Sequence, residues 1–378
     1  VLPALMLGAL GLWLGAPLVS VAPNRIVPGE GVYATELLGT VLALSALLPL
    51  ALVAGAGRLP TLSGLRGALA LVIALLAGLP LLLAWAAQRL VTPELPGARL
   101  GIGPAWWGLL FLFLLALVEL RTRLAIARLS LWGLLLPVVL VWWLALDGWL
   151  APLALVQEFS GRRQQFATAL VQHLALVGAA VGISLLIAVL LALAMRHNPT
   201  LRRTGFGVLN FLQTIPSLAL FGLLLAPLAW LADRYPWLAE LGVQGIGWAP
   251  ALLALVGYSL LPLVRNCYVA LEAVAPGVLE AGRGMGMSRR QLFWQVRLPL
   301  ALPVILEGVR ITTVQAIGLT AVAALIGAGG LGRFIFQGLG QAAMDLVLLG
   351  ALPILGLALL VDGLLGALSR QLQQGADA

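Results

Sequence analysis

Uninterrupted apolar runs of roughly twenty residues recur along this chain, each long enough to cross the hydrocarbon core of a bilayer. Ten spans are predicted, at about 1–22, 34–57, 67–88, 104–120, 129–150, 168–195, 205–232, 248–270, 300–327 and 344–368. The runs are continuous rather than alternating, which points to helices and away from barrel strands. The expected fold is an all-α membrane protein, a polytopic helical bundle. Two stretches break the pattern. Residues 151–166, with Gln157, Glu158, Arg162, Arg163, Gln164 and Gln165, form a linker between an N-terminal hydrophobic region of about five spans, 1–150, and a second region, 167–378. Residues 271–298 pack Glu272, Glu280, Arg283, Arg289, Arg290 and Arg297 between two spans, so that loop sits in water.

Within this loop two short helices are expected, joined at a glycine. Pro276 suits a first helical position, and Gly286 can take the left-handed conformation that ends a helix. Val274, Val278, Ala281 and Met285 recur at helical intervals, giving an apolar stripe beside a charged face. Ser288 followed by Gln291 reads as a capping box for the second helix, and Pro299 and Pro303 mark the return to apolar sequence. Such a helix either lies on lipid or docks onto a partner.

Charge sets the orientation. With 62% hydrophobic and 10% charged residues, all 22 basic residues are arginine and the net charge is +8. With the N-terminus inside, fifteen arginines (58, 66, 121, 123, 128, 196, 202, 203, 265, 283, 289, 290, 297, 310 and 370) fall at the cytoplasmic side, against seven outside. The positive-inside bias therefore places both termini and the 271–298 loop in the cytoplasm and the 151–166 linker in the periplasm. It also accounts for the charge without a nucleic-acid partner. The first run, where Ser20-Val21-Ala22 has the look of a signal-peptidase site, is read as a retained span because an even total keeps that bias consistent.

A chain with no lysine cannot form a standard P-loop. A single cysteine, Cys267, excludes an internal disulfide, and His173 and His197 are too isolated to suggest a metal site. Gly327 to Gly332 spells Gly-x-Gly-x-x-Gly, but it follows an apolar helix instead of a strand, so a turn is expected in place of a nucleotide site. Gly178-x3-Gly182 predicts a close helix approach. Trp106, Trp107, Trp142, Trp143 and Trp149 are expected to anchor at membrane edges rather than form a cation cage.

Glu280-Ala281-Gly282, three residues, Gly286, nine residues, then Val296-Arg297-Leu298-Pro299 resembles the EAA signature of permease subunits of bacterial ABC importers, Glu-Ala-Ala-x3-Gly-x9-Ile-x-Leu-Pro. It departs at Gly282 and Val296. More narrowly, the chain from His173 to Asp362 resembles permeases for glycine betaine and other quaternary amines, in phrases such as Leu212-Gln213-Thr214-Ile215-Pro216-Ser217 and Leu260-Leu261-Pro262-Leu263-Val264-Arg265-Asn266. The resemblance implies a type I importer core of about five spans, whose loop is a coupling helix seated on an ATP-binding subunit. It assigns coupling to Glu280, Ala281, Gly282, Arg283, Gly286, Val296, Leu298 and Pro299. It implies two ATP-binding subunits that hold ATP and Mg, a second permease subunit, a periplasmic binding protein, and a bacterial inner-membrane location. No cofactor is expected on this chain.

Polar residues inside spans are costly and mark candidate paths. Gln213, Thr214, Pro216, Ser217, Asn266, Thr312, Thr313 and Gln315 are the candidate translocation path, with interhelical hydrogen bonding as the alternative. Glu307 and Arg310 are spaced to pair on one helix face. The rivals are an importer permease for another small solute, such as methionine or a sulfonate, and an ion-coupled secondary transporter. The latter needs mid-membrane carboxylates, whereas Glu119, Asp147, Glu307 and Asp362 lie nearer span ends.

Overall fold

The computed structural model describes residues 1–25, 27–58, 61–91, 97–126 and 133–376, with side chains to 373. The chain divides into two compact units, Val1–Gly161 and Arg162–Ala378. Among the described residues, eight helices are long and apolar enough to cross a membrane, three in the first unit and five in the second.

In the first unit α1 (Leu2–Gly15) is shorter than the predicted span. Pro17 disfavours helical geometry at Ala16, which turns extended (φ −133°, ψ 150°), and the chain enters strand β1, Val19–Ala22. At about 1.5 Å per residue the helix falls short of a bilayer core of about 30 Å. β1 pairs antiparallel with β2 (Glu30–Val32) and β3 (Arg99–Ile102), in the order β2-β1-β3, so Ser20-Val21-Ala22 is part of the central strand of a small sheet. The remaining helices are α2 (Ala34–Leu38), α3 (Thr40–Arg58), α4 (Leu62–Leu90), α5 (Pro104–Arg123), α6 (Leu136–Leu146) and α7 (Ala154–Gly161). Gly39, at φ +80°, separates α2 from α3 inside the span expected at 34–57. The start of the span expected at 129–150 and Arg128 lie outside the described residues.

Trp106 departs from the interfacial expectation. It is 1% exposed, stacks edge-on with Trp107 and Trp142, and donates its Nε1–H to the Leu79 carbonyl at 3.2 Å. Trp143 and Trp149 are exposed. Glu158, in the expected linker, is 5% exposed and held by Arg25 (3.0 Å) and Arg99 (2.6 Å). A carboxylate buried this far requires such partners.

The second unit contains α8 (Arg163–His197), α9 (Pro199–Thr214), α10 (Ser217–Arg234), α11 (Pro236–Glu240), α12 (Trp248–Glu272), α13 (Pro276–Gly284), α14 (Arg289–Ile326), α15 (Gly332–Gly340) and α16 (Met344–Ala376). Its core lies where α8 and α14 pack on α12 and where α16 packs on α14. Buried small residues such as Ala180, Ala188, Ala192 and Ala254 let the helices approach. The span expected at 205–232 is two helices, because Pro216 breaks the run instead of bending it. Gly178 and Gly182 make no close approach within the chain, since an added Cβ at either meets nothing within 4 Å. The glycine-rich segment is a turn, with Gly327, Gly329 and Gly330 at positive φ and the Gly330 N–H donating to Gln172 Oε1 at 3.2 Å.

Candidate functional site

The loop between α12 and α14 is built as its local sequence dictates. Pro276 opens α13, and the helix closes in a Schellman motif, in which the Met287 N–H donates to the Gly282 carbonyl (3.1 Å) and the Gly286 N–H to the Arg283 carbonyl (2.9 Å). Gly286 is at φ +81°. Ser288 then caps α14: its Oγ accepts from the Gln291 N–H (3.3 Å), while Gln291 Oε1 accepts from the Ser288 N–H (2.9 Å).

A local core of Val274, Leu279 and Leu292, joined by Met287 and Val296, holds the loop together. Its inner face is Leu279 and Gly282. Only Val274 of the predicted stripe is buried: Val278 and Ala281 are exposed and Met285 is 76% exposed, and Glu280, on another face of the helix, is also exposed, with no ion-pair partner among the described residues. The apolar stripe thus faces outward. At Gly282, where the signature has alanine, an added Cβ would come within 2.6 Å of Leu292 Cδ1. That methyl group sits at the end of a rotatable chain, so Gly282→Ala is expected to leave thermal stability within about 1 kcal/mol of the parent, helix propensity offsetting the repacking. A loss of several kcal/mol in chemical unfolding would contradict this.

The second expected short helix is instead the start of a span. A π turn over Leu292–Arg297, closed by the Leu298 N–H donating to the Phe293 carbonyl, runs directly into the rest of α14, so neither Pro299 nor Pro303 ends it. Val296, Arg297 and Leu298 are half-buried in this junction and Pro299 is exposed. On the other side Glu272, at the end of α12, pairs with Arg196 of α8 at 2.6 Å, and Tyr268 accepts a hydrogen bond from Arg202 at 2.9 Å. The two helices that hold the loop meet where a Cβ on Gly308 would lie 2.6 Å from Asn266 Cβ.

Several candidate path residues are engaged by backbone. Pro262 has no N–H to offer the Tyr258 carbonyl one turn back, and Gln213 Nε2 donates to that carbonyl instead, at 2.7 Å. Asn266 Nδ2 donates to the Pro262 carbonyl at 2.8 Å. The Tyr258 hydroxyl donates to the Ile215 carbonyl, tying the Pro216 break to α12. Thr214 and Thr313 bond back to the Phe211 and Val309 carbonyls, at 2.7 Å each. Ser217 and Gln315 are half-buried, and Thr312 is buried with no partner for its hydroxyl among the described residues. The structure therefore has Gln213 and Asn266 bonded to neighbouring turns of α12 around Pro262 and leaves the α14 residues as a separate row. Sequence reasoning missed Tyr258 and Gly308. The spacing of Tyr258 from Pro262 was the available signal for the first, and nothing local marked the second.

Glu307 and Arg310 pair at 3.1 Å as their spacing predicts, but Arg310 also grips Asp362 of α16 through two bonds of 2.7 and 2.9 Å. The two-bond geometry is the stronger one. Asp362→Asn is expected to destabilise the solubilised chain more than Glu307→Gln, by about 0.5–1 kcal/mol in denaturant titrations. Equal losses would place no weight on the helix-to-helix clamp.

Residues 180–374 match the model of the binding-protein-dependent transport system inner membrane component. The chain belongs to this family. It is a permease subunit of an ABC importer, a multi-pass protein of the inner membrane that works with ATP-binding subunits and a substrate-binding protein. Permeases of this family are not themselves ATPases, and the ion-coupled alternative is set aside. Residues 1–156 match a second model, the N-terminal domain of the ABC transporter permease YehY. The permease is 43% identical to the osmoprotectant import permease protein OsmW of Salmonella typhimurium, over 51% of this chain and 85% of that one. It is 39% identical to the carnitine transport permease protein OpuCB of Listeria monocytogenes, over 53% and 85%. A solved structure of the methionine transporter MetNI, in an inward-facing conformation, aligns at 23% identity with a TM-score of 0.47, covering 56% of this chain and 98% of that chain.

Proposed function

We propose that this permease imports a small quaternary ammonium solute of the glycine betaine, carnitine and choline class. The observation that carries the reading is the 43% identity to an osmoprotectant import permease across most of that protein's length. In the proposed assembly two permease subunits pair and each presents its 271–298 loop to one of two ATP-binding subunits, which hold ATP and Mg. Both termini and the loop face the cytoplasm, as the arginine distribution favours.

Coupling runs through Glu280, Ala281, Arg283 and the Gly286 turn, with Gly282 setting the packing and Val296, Leu298 and Pro299 carrying motion into α14. The outward Val278, Ala281 and Met285 surface supports this, because a docking face must present apolar side chains that its own chain leaves uncovered. An ATPase whose closed and open states contact that surface differently shifts the permease between its outward and inward states. The path residues in α9, α10, α12 and α14 form a weakly polar route between the paired subunits.

The test is ATP-driven uptake into vesicles holding the permease, its ATPase and its binding protein. Labelled glycine betaine, carnitine or choline should accumulate and unlabelled methionine should not compete. Uptake of methionine or a sulfonate in their place would move the substrate to another class.

A further inference from the structure

We infer that a cleft at the root of the coupling loop binds the phosphate headgroup of an anionic membrane lipid. The cleft, of about 800 Å³, lies between the last turn of α8 and the start of α14 and is lined by Arg196, Arg283, Arg289 and Arg297. Only Arg196 is paired, to Glu272; the other three have no acidic partner among the described residues. Like charges gathered around one hollow repel unless a counter-anion fills it. Arginine's planar fork of donors suits phosphate oxygens.

The remaining wall is His197 and an apolar stretch of Leu193, Met287, Leu292 and Phe293. A soluble anion gains nothing from such a wall, whereas a lipid places its glycerol and first acyl carbons against it. Position points the same way. Here α8 leaves and α14 enters apolar sequence, which is the headgroup level of the membrane. The inference rests on the cytoplasmic placement proposed above for the loop, where anionic lipids of the inner leaflet meet basic pockets between helices. Arg290 lines a separate hollow with Ser288, Gln291 and Trp294 and is not part of the cleft.

The experiment measures lipid retained by the purified full-length permease in detergent micelles doped equally with phosphatidylglycerol and phosphatidylcholine. The parent is expected to keep phosphatidylglycerol selectively. R289Q/R297Q should bind it about 30-fold more weakly, at roughly a factor of five per arginine, while R290Q retains it. For the parent alone, retention should fall steeply with added salt, a readout that needs no variant. Undiminished retention in R289Q/R297Q, or no salt dependence, would overturn the inference. So would displacement by equimolar glycerol 3-phosphate, which would make the site one for free phosphate, or displacement by the docked ATPase, which would make it part of that interface. The assay involves no transport, so a failed uptake assay with quaternary amines leaves its outcome untouched.

Discussion

Gly286→Val is expected to leave the permease in the membrane while cutting ATP-driven uptake at least tenfold, with ATP hydrolysis by the assembled importer continuing. The left-handed backbone at φ +81° costs an L residue about 1–2 kcal/mol, and a β-branched side chain sits at the top of that range. The strain can be relieved only by unwinding the two Schellman hydrogen bonds that end α13. That changes the angle between α13, which presents Val278, Ala281 and Met285, and the Ser288 cap, which begins α14. A loop that still docks but no longer hands its tilt to α14 separates hydrolysis from transport. Glu280→Ala tests the same idea without backbone strain. Being exposed and unpaired among the described residues, Glu280 should cost within about 0.5 kcal/mol of stability, yet its loss should also reduce uptake per ATP. Paired measurements of hydrolysis and uptake in vesicles decide the matter, and unchanged coupling in both variants would remove the loop from the mechanism.

Much of the loop was legible because its determinants are local. A proline at a helix start, a serine three residues before a glutamine and a glycine after a last turn each act within a few residues, and the structure has all three where the sequence placed them. Which face of α13 turns inward was not legible, because both sides carry apolar residues and the choice rests on Leu292, thirteen positions beyond Leu279. The same holds for the spans. Hydropathy located the five long helices of the second unit but could not show that Pro216 ends a helix, since the Tyr258 hydroxyl that satisfies the freed Ile215 carbonyl lies forty-three residues away. Trp106 was misplaced for a related reason: tryptophan near a span end is usually interfacial, and here the Leu79 carbonyl of a neighbouring helix accepts its N–H in the interior. The partners of the candidate path residues were not legible either. Gln213 and Asn266 read in sequence as polar residues inside spans, and only the structure shows that they donate to the Tyr258 and Pro262 carbonyls of α12.

Gly308→Leu is expected to abolish measurable uptake and to lower the thermal midpoint of the solubilised permease by several degrees. An added Cβ at Gly308 lies 2.6 Å from the Asn266 Cβ, an atom fixed to the α12 backbone, in contrast to the swinging Leu292 methyl that Gly282 faces. The helices must therefore part, and overpacking of this kind costs about 1–3 kcal/mol. The functional loss should exceed the stability loss, because α12 leads into the coupling loop and α14 leads out of it. The tight contact at Gly308 is then the fulcrum about which any movement of the loop becomes a movement of the spans. Gly318→Leu, on the same helix with nothing within 4 Å of its Cβ position, is the stability control and should leave the midpoint unchanged. Gly308→Ala combined with Asn266→Gly removes one colliding carbon while adding the other, so the double variant should recover stability relative to Gly308→Ala alone even though Asn266→Gly by itself weakens α12 by about 1 kcal/mol. If the two changes instead add independently, α12 and α14 are not in contact at this point and the fulcrum lies elsewhere.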